Sequence, residues 1–166
     1  MLHNFKTIAK SMVTLMETAK EELGTFFKFQ LDQEAAHLAA FMPKDTNDKA
    51  AYIERYTKYL ADPTIHMRTV KVDGVIAGSI AKFMMGGEAG ITYWIDRKFW
   101  GQGIATTALR DFLKIEHTRP LHAGVAFDNY GSRKVLEKCG FVQTGTDRGF
   151  ANARQAEIEE VNYKLS

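Results

Sequence analysis

The chain has 166 residues, 45% of them hydrophobic and 25% charged, which suits one domain with one continuous core. Its 22 basic and 20 acidic residues leave a formal net charge of +2 with no polybasic tail or acidic block, which argues against wholesale nucleic-acid binding. No apolar stretch approaches the roughly 20 residues that span a bilayer, and the lone Cys139 has no internal disulfide partner, so the expected setting is the reducing cytoplasm.

Residues 1 to 10, MLHNFKTIAK, are too short and too broken by charge for a secretory leader, and they are expected to be disordered. Residues 12 to 17 form a short β-prone run. About twenty residues rich in Phe, Leu and Ala then read as helical, with a break near Gln30 to Asp32. Thr46 to Asp48 make an N-cap cluster for a further helix with Ile53, Tyr56 and Leu60 on one face, and Pro63 ends it. Val70 and Val72 lie in a strand that turns at Asp73-Gly74 into a second strand through Val75, Ile76 and Ile80, a hairpin signal because this pair tolerates positive φ. Gly86-Gly87 makes the next turn, and residues 91 to 96 continue the antiparallel meander.

The pattern then changes. Residues 104 to 115 carry Ala105, Ala108, Leu109 and Phe112 at helical spacing, and residues 121 to 127 alternate apolar with smaller or polar residues. Strand, helix and strand in that order imply a parallel crossover. Asp128 and Asn129 cap another helix through Val135, Leu136 and Cys139, where the cysteine reads as small apolar packing; the His and Cys residues show no zinc-like spacing, and no metal is expected. Strand-like runs at 141–146 and 157–165 form a terminal hairpin. The expected class is α/β (α+β): one domain over 1–166, with a mixed, mostly antiparallel sheet and flanking helices.

The most informative segment is 94–109, in which a strand passes through Trp100-Gly101-Gln102-Gly103-Ile104-Ala105-Thr106 directly into a helix. Two glycines there let backbone amides approach a ligand, and the unpaired amides of the helix's first turn, with its positive dipole end, suit a pyrophosphate. By itself the pattern equally describes a tight strand-to-helix turn. It lacks the third glycine of a dinucleotide fingerprint and the Lys-Ser/Thr of a nucleotide P-loop.

These residues, with Tyr93-Trp94-Ile95 before them and Asn129-Tyr130-Gly131-Ser132 through Gly140-Phe141 after them, resemble the GNAT acetyltransferases, specifically the branch with ribosomal-protein N-terminal and many small-molecule acetyltransferases. The motifs and their strands cover about 65–146. Trp100 stands where the family's loop carries Arg or Gln. The resemblance implies acetyl-CoA as cosubstrate, wedged between splayed parallel strands at 91–96 and 121–127. Backbone of Trp94 and Ile95 would pair with its pantetheine arm, amides from Gly101 to Thr106 would hold its pyrophosphate, and Asn129 would bond the arm while also serving as a helix N-cap.

The implied chemistry is direct attack of an amine on the thioester. The tyrosine that many relatives use as acid is replaced by Leu136, so Ser132 is the expected thiolate partner, with a place in the cap as its structural alternative. The strand position where relatives carry Glu is Gly90. Glu88, Thr92, Tyr93 and His122 remain nearby, of which Tyr93 is named as an active-site hydrogen-bonding group. Acceptor selectivity is expected from 26–34 and from a loop at 147–154, with Asp32 or Glu34 attracting a cationic amine. The acceptor is a small-molecule amine or a peptide N-terminus, and a homodimer fits the family. The rivals are a non-catalytic acyl-CoA-binding or regulatory domain and, more distantly, a nucleotide binder.

Overall fold

A computed structural model describes residues 11–166; the expectation for residues 1 to 10 lies outside the described residues. Strand β1 (Val13–Glu17) leads through a 3₁₀ turn into α1 (Leu23–Phe29), α2 (Gln33–Ala39) and α3 (Lys49–Ala61). A meander β2 (His66–Val72), β3 (Val75–Met85) and β4 (Glu88–Ile95) follows. Helix α4 (Ile104–Ile115) crosses over to β5 (Leu121–Ala126), α5 (Tyr130–Lys138) follows, and β6 (Val142–Ala151) and β7 (Ala156–Leu165) close the chain.

The seven strands form one sheet in the order β1-β2-β3-β4-β5-β7-β6. Every neighbouring pair is antiparallel except β4 and β5. The expected hairpin at Asp73-Gly74 forms with both residues at positive φ, 49° and 80°, the geometry of a turn whose twist matches the strands. Helix α4 spans the expected residues, and its stripe of Ile104, Ala108, Leu109 and Phe112 is buried on the sheet. Burying Leu109 and Phe112 contributes about 1.5–3 kcal/mol each.

Two apolar layers sandwich the sheet. Beneath α4 and α5 lies a core that includes Val70, Ile80, Ile91, Leu136 and Tyr163. On the opposite face α1 and α3 enclose a smaller cluster around Leu23, Phe26 and Met67. Alternation along each strand sends Tyr93 to the α4/α5 face and Thr92 and Trp94 to the other.

The terminal hairpin departs from the expectation. Strand β6 runs on to Ala151, so the loop expected at 147–154 is mostly strand, and only residues 152–155 turn. Its pairing with β7 continues from Val142↔Lys164 to Ala151↔Ala156. Most of β6 is solvent-exposed on both faces, so apolar alternation has no reason to appear, and backbone pairing alone extends the strand.

Candidate functional site

The site begins where the sheet comes apart. Strands β4 and β5 pair only at Ala89↔Leu121 and Gly90↔His122; beyond Gly90 the β5-facing edge of β4 has no strand partner. A cavity of about 660 Å³ passes through this opening, touching Tyr93, Asn129, Ser132 and Leu136 at one end and Phe29, Tyr52, Arg55 and Tyr56 at the other. Two glycines shape the surrounding backbone. A Cβ on Gly78 would lie 1.9 Å from the Trp94 carbonyl oxygen, so β4 approaches β3 closely only because residue 78 has no side chain. A Cβ on Gly90 would meet the Phe83 ring at 2.5 Å, so Phe83 fills the space over this strand position.

At the end of β4 the chain turns through a 3₁₀ segment, Arg97–Phe99, into α4. Gly101 and Gly103 sit at φ +74° and +73° with open space where a Cβ would be, and Gly103 is the N-cap of α4 without a side-chain cap. The first-turn amides of a twelve-residue helix therefore point outward unclaimed by any side chain, the arrangement that binds phosphate oxygens. Gln102 folds back, its Nε2 donating to the Lys98 carbonyl at 3.3 Å. Trp100 does likewise, its Nε1 donating to the Ile95 carbonyl at 2.8 Å. The residue standing in place of the family's Arg or Gln therefore braces the turn and occupies the Ile95 oxygen. Ile104 is buried, while Ala105 and Thr106 are half-buried.

Two expected site residues, 39 positions apart, meet across the opening. Tyr93 Oη lies 2.6 Å from Ser132 Oγ, where either oxygen can donate, and 3.2 Å from the Ser132 carbonyl, a longer alternative acceptor for its single proton. Burial pushes the Tyr93 phenol up to about 12, against a smaller lowering by its Ser132 bond, so it stays protonated at neutral pH. Asn129 caps α5, its Oδ1 accepting from the Ser132 amide at 3.3 Å, while its Nδ2 donates to the Leu38 carbonyl at 3.3 Å.

Other expectations are corrected. Asp32 caps α2 and pairs with Arg97 at 2.8 Å, and Glu34 pairs with the same guanidinium, so neither is free to attract an amine. Residues 147–154 do not touch the cavity, whereas Phe26, Phe29 and Gln30 do. His122 lies at the closed end of the opening, 3.9 Å from Glu88, and neither lines the cavity; Thr92 does.

Two carboxylates do reach the cavity, Asp45 and Glu160 of β7, and of these Asp45 is exposed. A Cβ on Gly124 would lie 2.2 Å from Glu160 Oε1, so the missing side chain on β5 is what admits this carboxylate. Burial, and secondarily the Asp147 charge, push the Glu160 carboxyl above the usual range. A further unmatched group is the Trp94 indole N–H, buried without an acceptor among the described residues.

The rim is tied to the last turn of the chain. Ala40, at φ 62° and ψ −58°, forms a three-residue turn closed by the Phe41 amide on the Ala39 carbonyl at 2.7 Å, a strained γ-turn that neighbours must hold. Ala153 N donates to the Ala40 carbonyl at 3.1 Å and Asn152 Nδ2 to the Met42 carbonyl at 2.6 Å. Arg154 completes the clasp, donating to the His37 carbonyl and, through both terminal nitrogens at 2.7 Å, to Asp128. That fork holds the Asp128 carboxyl below its usual range.

Comparison with known proteins places this geometry. Residues 13–142 match the family model of the acetyltransferase (GNAT) domain. No curated protein sequence matches the chain. Among solved structures, the ribosomal L7/L12 alpha-N-protein acetyltransferase RimL in complex with coenzyme A superposes with a TM-score of 0.80 at 16% identity, over 95% of each chain. RimJ from Mycobacterium smegmatis in complex with CoA-disulfide gives 0.74 at 20%, over 92% of this chain and 81% of that one. A spermidine N-acetyltransferase SpeG chimera from Vibrio cholerae and hSSAT gives 0.74 at 19%, over 90% and 93%. At these identities the similarity is one of fold, and it agrees with the resemblance drawn from the motifs.

Proposed function

The chain belongs to the GNAT acetyltransferase domain family, and from that premise we propose that it transfers acetyl from acetyl-CoA to a primary amine by direct attack inside the cavity between β4 and β5. The observation that carries the reading is the opened strand pair with an uncapped helix N-terminus beside it and a cavity running through it.

The residues present fit the cosubstrate. The outward amides from Gly101 to Thr106 would hold its pyrophosphate, the free edge of β4 would pair with the pantetheine arm through Tyr93 and Ile95 rather than through Trp94, whose carbonyl faces Gly78 of β3, and Asn129 would add a hydrogen bond. Because the Ile95 carbonyl already accepts from Trp100, the pairing would fall to the other backbone groups. Acetyl-CoA supplies the thioester whose acetyl group is transferred.

Glu160 takes the proton that the amine must lose. Its raised carboxyl pKa brings it closer to the operating pH, where proton transfer is most effective. At the other end, the phenol of Tyr93, a stronger acid than a serine hydroxyl, is assigned as donor to Ser132 Oγ. That leaves the Ser132 O–H free to donate into the cavity, where the departing sulfur needs a proton. Leu136, in place of the family's tyrosine, adds an apolar wall. The pair therefore takes the place of the single acid found in many relatives.

Thermal unfolding with acetyl-CoA, coenzyme A, ATP and NAD, followed by thiol release over an amine panel, tests the proposal. Selective stabilisation by acetyl-CoA and thiol release with an amine are expected. Stabilisation without release for any amine would leave a binding module, and stabilisation by ATP or NAD alone would remove the cosubstrate assignment.

A further inference from the structure

The half of the cavity away from Ser132 has a composition that the acetyl-transfer reading does not need. Its wall is aromatic, with Phe26 and Phe29 of α1 beside Tyr52, Tyr56 and Tyr59 of α3. The Tyr52 and Tyr56 rings stack at 4.2 Å, and Tyr59 meets Tyr56 edge-on at 5.2 Å. Set into this wall is Arg55, the one cationic side chain lining the cavity among the described residues.

Arg55 is also unspent. The other described arginines divide cleanly: Arg68, Arg97, Arg119, Arg133 and Arg154 each donate to a carbonyl, hydroxyl or carboxylate. Arg55, Arg110 and Arg148 make no hydrogen bond or ion pair among the described residues; of these, Arg110 and Arg148 are exposed, whereas Arg55 is half-buried. A guanidinium set in an aromatic cavity wall without a polar partner is open to an anion, and its fork matches carboxylate or phosphate oxygens. The two acidic side chains in the same lining do not serve. Asp45 is exposed and engaged with the Asn47 amide at 3.3 Å, and Glu160 stands beside Gly124 on β5. The Trp94 indole N–H, in the same lining, is a second donor without an acceptor.

We propose that the acceptor is an amine on an aromatic or apolar body that also carries an anionic group, a carboxylate or a phosphate, and that Arg55 selects it by binding that group. The inference rests on the acetyl-transfer reading for where the amine lies, at Glu160, and makes an unadorned polycation such as spermidine a poor acceptor.

Binding measures this without turnover. Isothermal titration, with and without saturating coenzyme A, compares two pairs of amines that differ only in the anion: tyramine with O-phosphotyramine, and phenethylamine with its para-carboxymethyl derivative. In the wild-type protein at least one anionic member is expected to bind about tenfold or more tightly than its neutral partner, as a charge-assisted hydrogen bond warrants, and the pair with the larger ratio identifies the anion. Arg55→Met is expected to bring that ratio to within about twofold of one, and Arg55→Lys to restore part of it. Far-UV circular dichroism of each variant checks that α3 is intact. Ratios near one in the wild type, ratios that survive Arg55→Met, no binding by any of the four amines, or tighter binding by spermidine than by all four would each overturn the proposal. Failure of the acetyl-transfer reading looks different: no stabilisation by acetyl-CoA and no thiol release, whatever the amines do.

Discussion

The two ends of the cavity are built from different materials. On the α4/α5 side the groups proposed for recognition are backbone: two glycines at positive φ, uncapped amides at the start of α4, and a strand edge left open. On the α1/α3 side they are side chains, with stacked tyrosines, one arginine without a partner among the described residues and a carboxylate admitted by a glycine. Backbone recognition suits a cosubstrate that is the same throughout a family, because it tolerates change in almost every side chain except the glycines. Side-chain recognition suits an acceptor that differs from one member to the next.

Substitutions on the two sides should therefore fail in different ways. The largest effect is expected for Glu160→Gln, which should lower kcat/KM by roughly 10²- to 10⁴-fold, the usual worth of a positioned base, while acetyl-CoA still protects against heat. The wild-type pH profile should rise through a value above the ordinary glutamate pKa of about 4.3, and the variant should lack that limb. Stability should move the opposite way. A raised folded pKa means that ionising Glu160 costs stability as pH rises, so the variant should be the more stable protein at neutral pH and lose that advantage in acid. A loss of activity together with a loss of neutral-pH stability would count against this assignment.

Gly103→Val attacks the other side. A β-branched residue at φ +73° carries a strain of about 1–2 kcal/mol, which the free loop relieves by leaving the conformation that binding needs, so acetyl-CoA affinity measured by titration should fall by roughly tenfold. Acceptor discrimination, read as the ratio of kcat/KM for two amines, should hardly change. Movement of that ratio would erase the division between the two sides.

Asp128→Asn tests the clasp between Arg154 and the rim of the cavity. Removing one half of the Arg154 fork should cost about 1.5 kcal/mol in urea unfolding at neutral pH. The Asp128 carboxyl is lowered in the folded protein, so its contribution is full above about pH 4 and fades as pH falls through the folded value. The gap between wild type and variant should close in acid. The smallest effect is expected for Tyr93→Phe: with Ser132 left in place, losing one hydrogen bond of about 1 kcal/mol should lower kcat about fivefold without altering acetyl-CoA affinity.

The same division decides how much could be read from the chain. Helix α4, the Asp73-Gly74 hairpin and the crossover announce themselves because each is local: an apolar stripe, a turn pair, a strand-helix-strand order. The coenzyme-side candidates were legible for the same reason, being contiguous from Tyr93 to Thr106 and again from Asn129 to Ser132. What the chain hides is mutual placement across long separations. Glu160 is one of several acids in an alternating strand, and only the absent side chain of Gly124, on a neighbouring strand, marks it out. Asp32 and Glu34 read as free until Arg97, more than sixty positions on, is seen to hold both. Arg55 is the converse, a residue whose interest lies in having no such partner among the described residues.

The opened seam has a further consequence for how the molecule breathes. A sheet joined by two residue pairs at its middle is, to solvent deuterium, two smaller sheets lying side by side. Amide exchange in the free protein should draw that division as a dotted line, fast at the alternate amides Ile91, Tyr93 and Ile95 that face the seam and slow at those paired with β3. Adding acetyl-CoA should darken the line, and its strand-like arm would then be visible as the missing rung that makes two plates exchange as one.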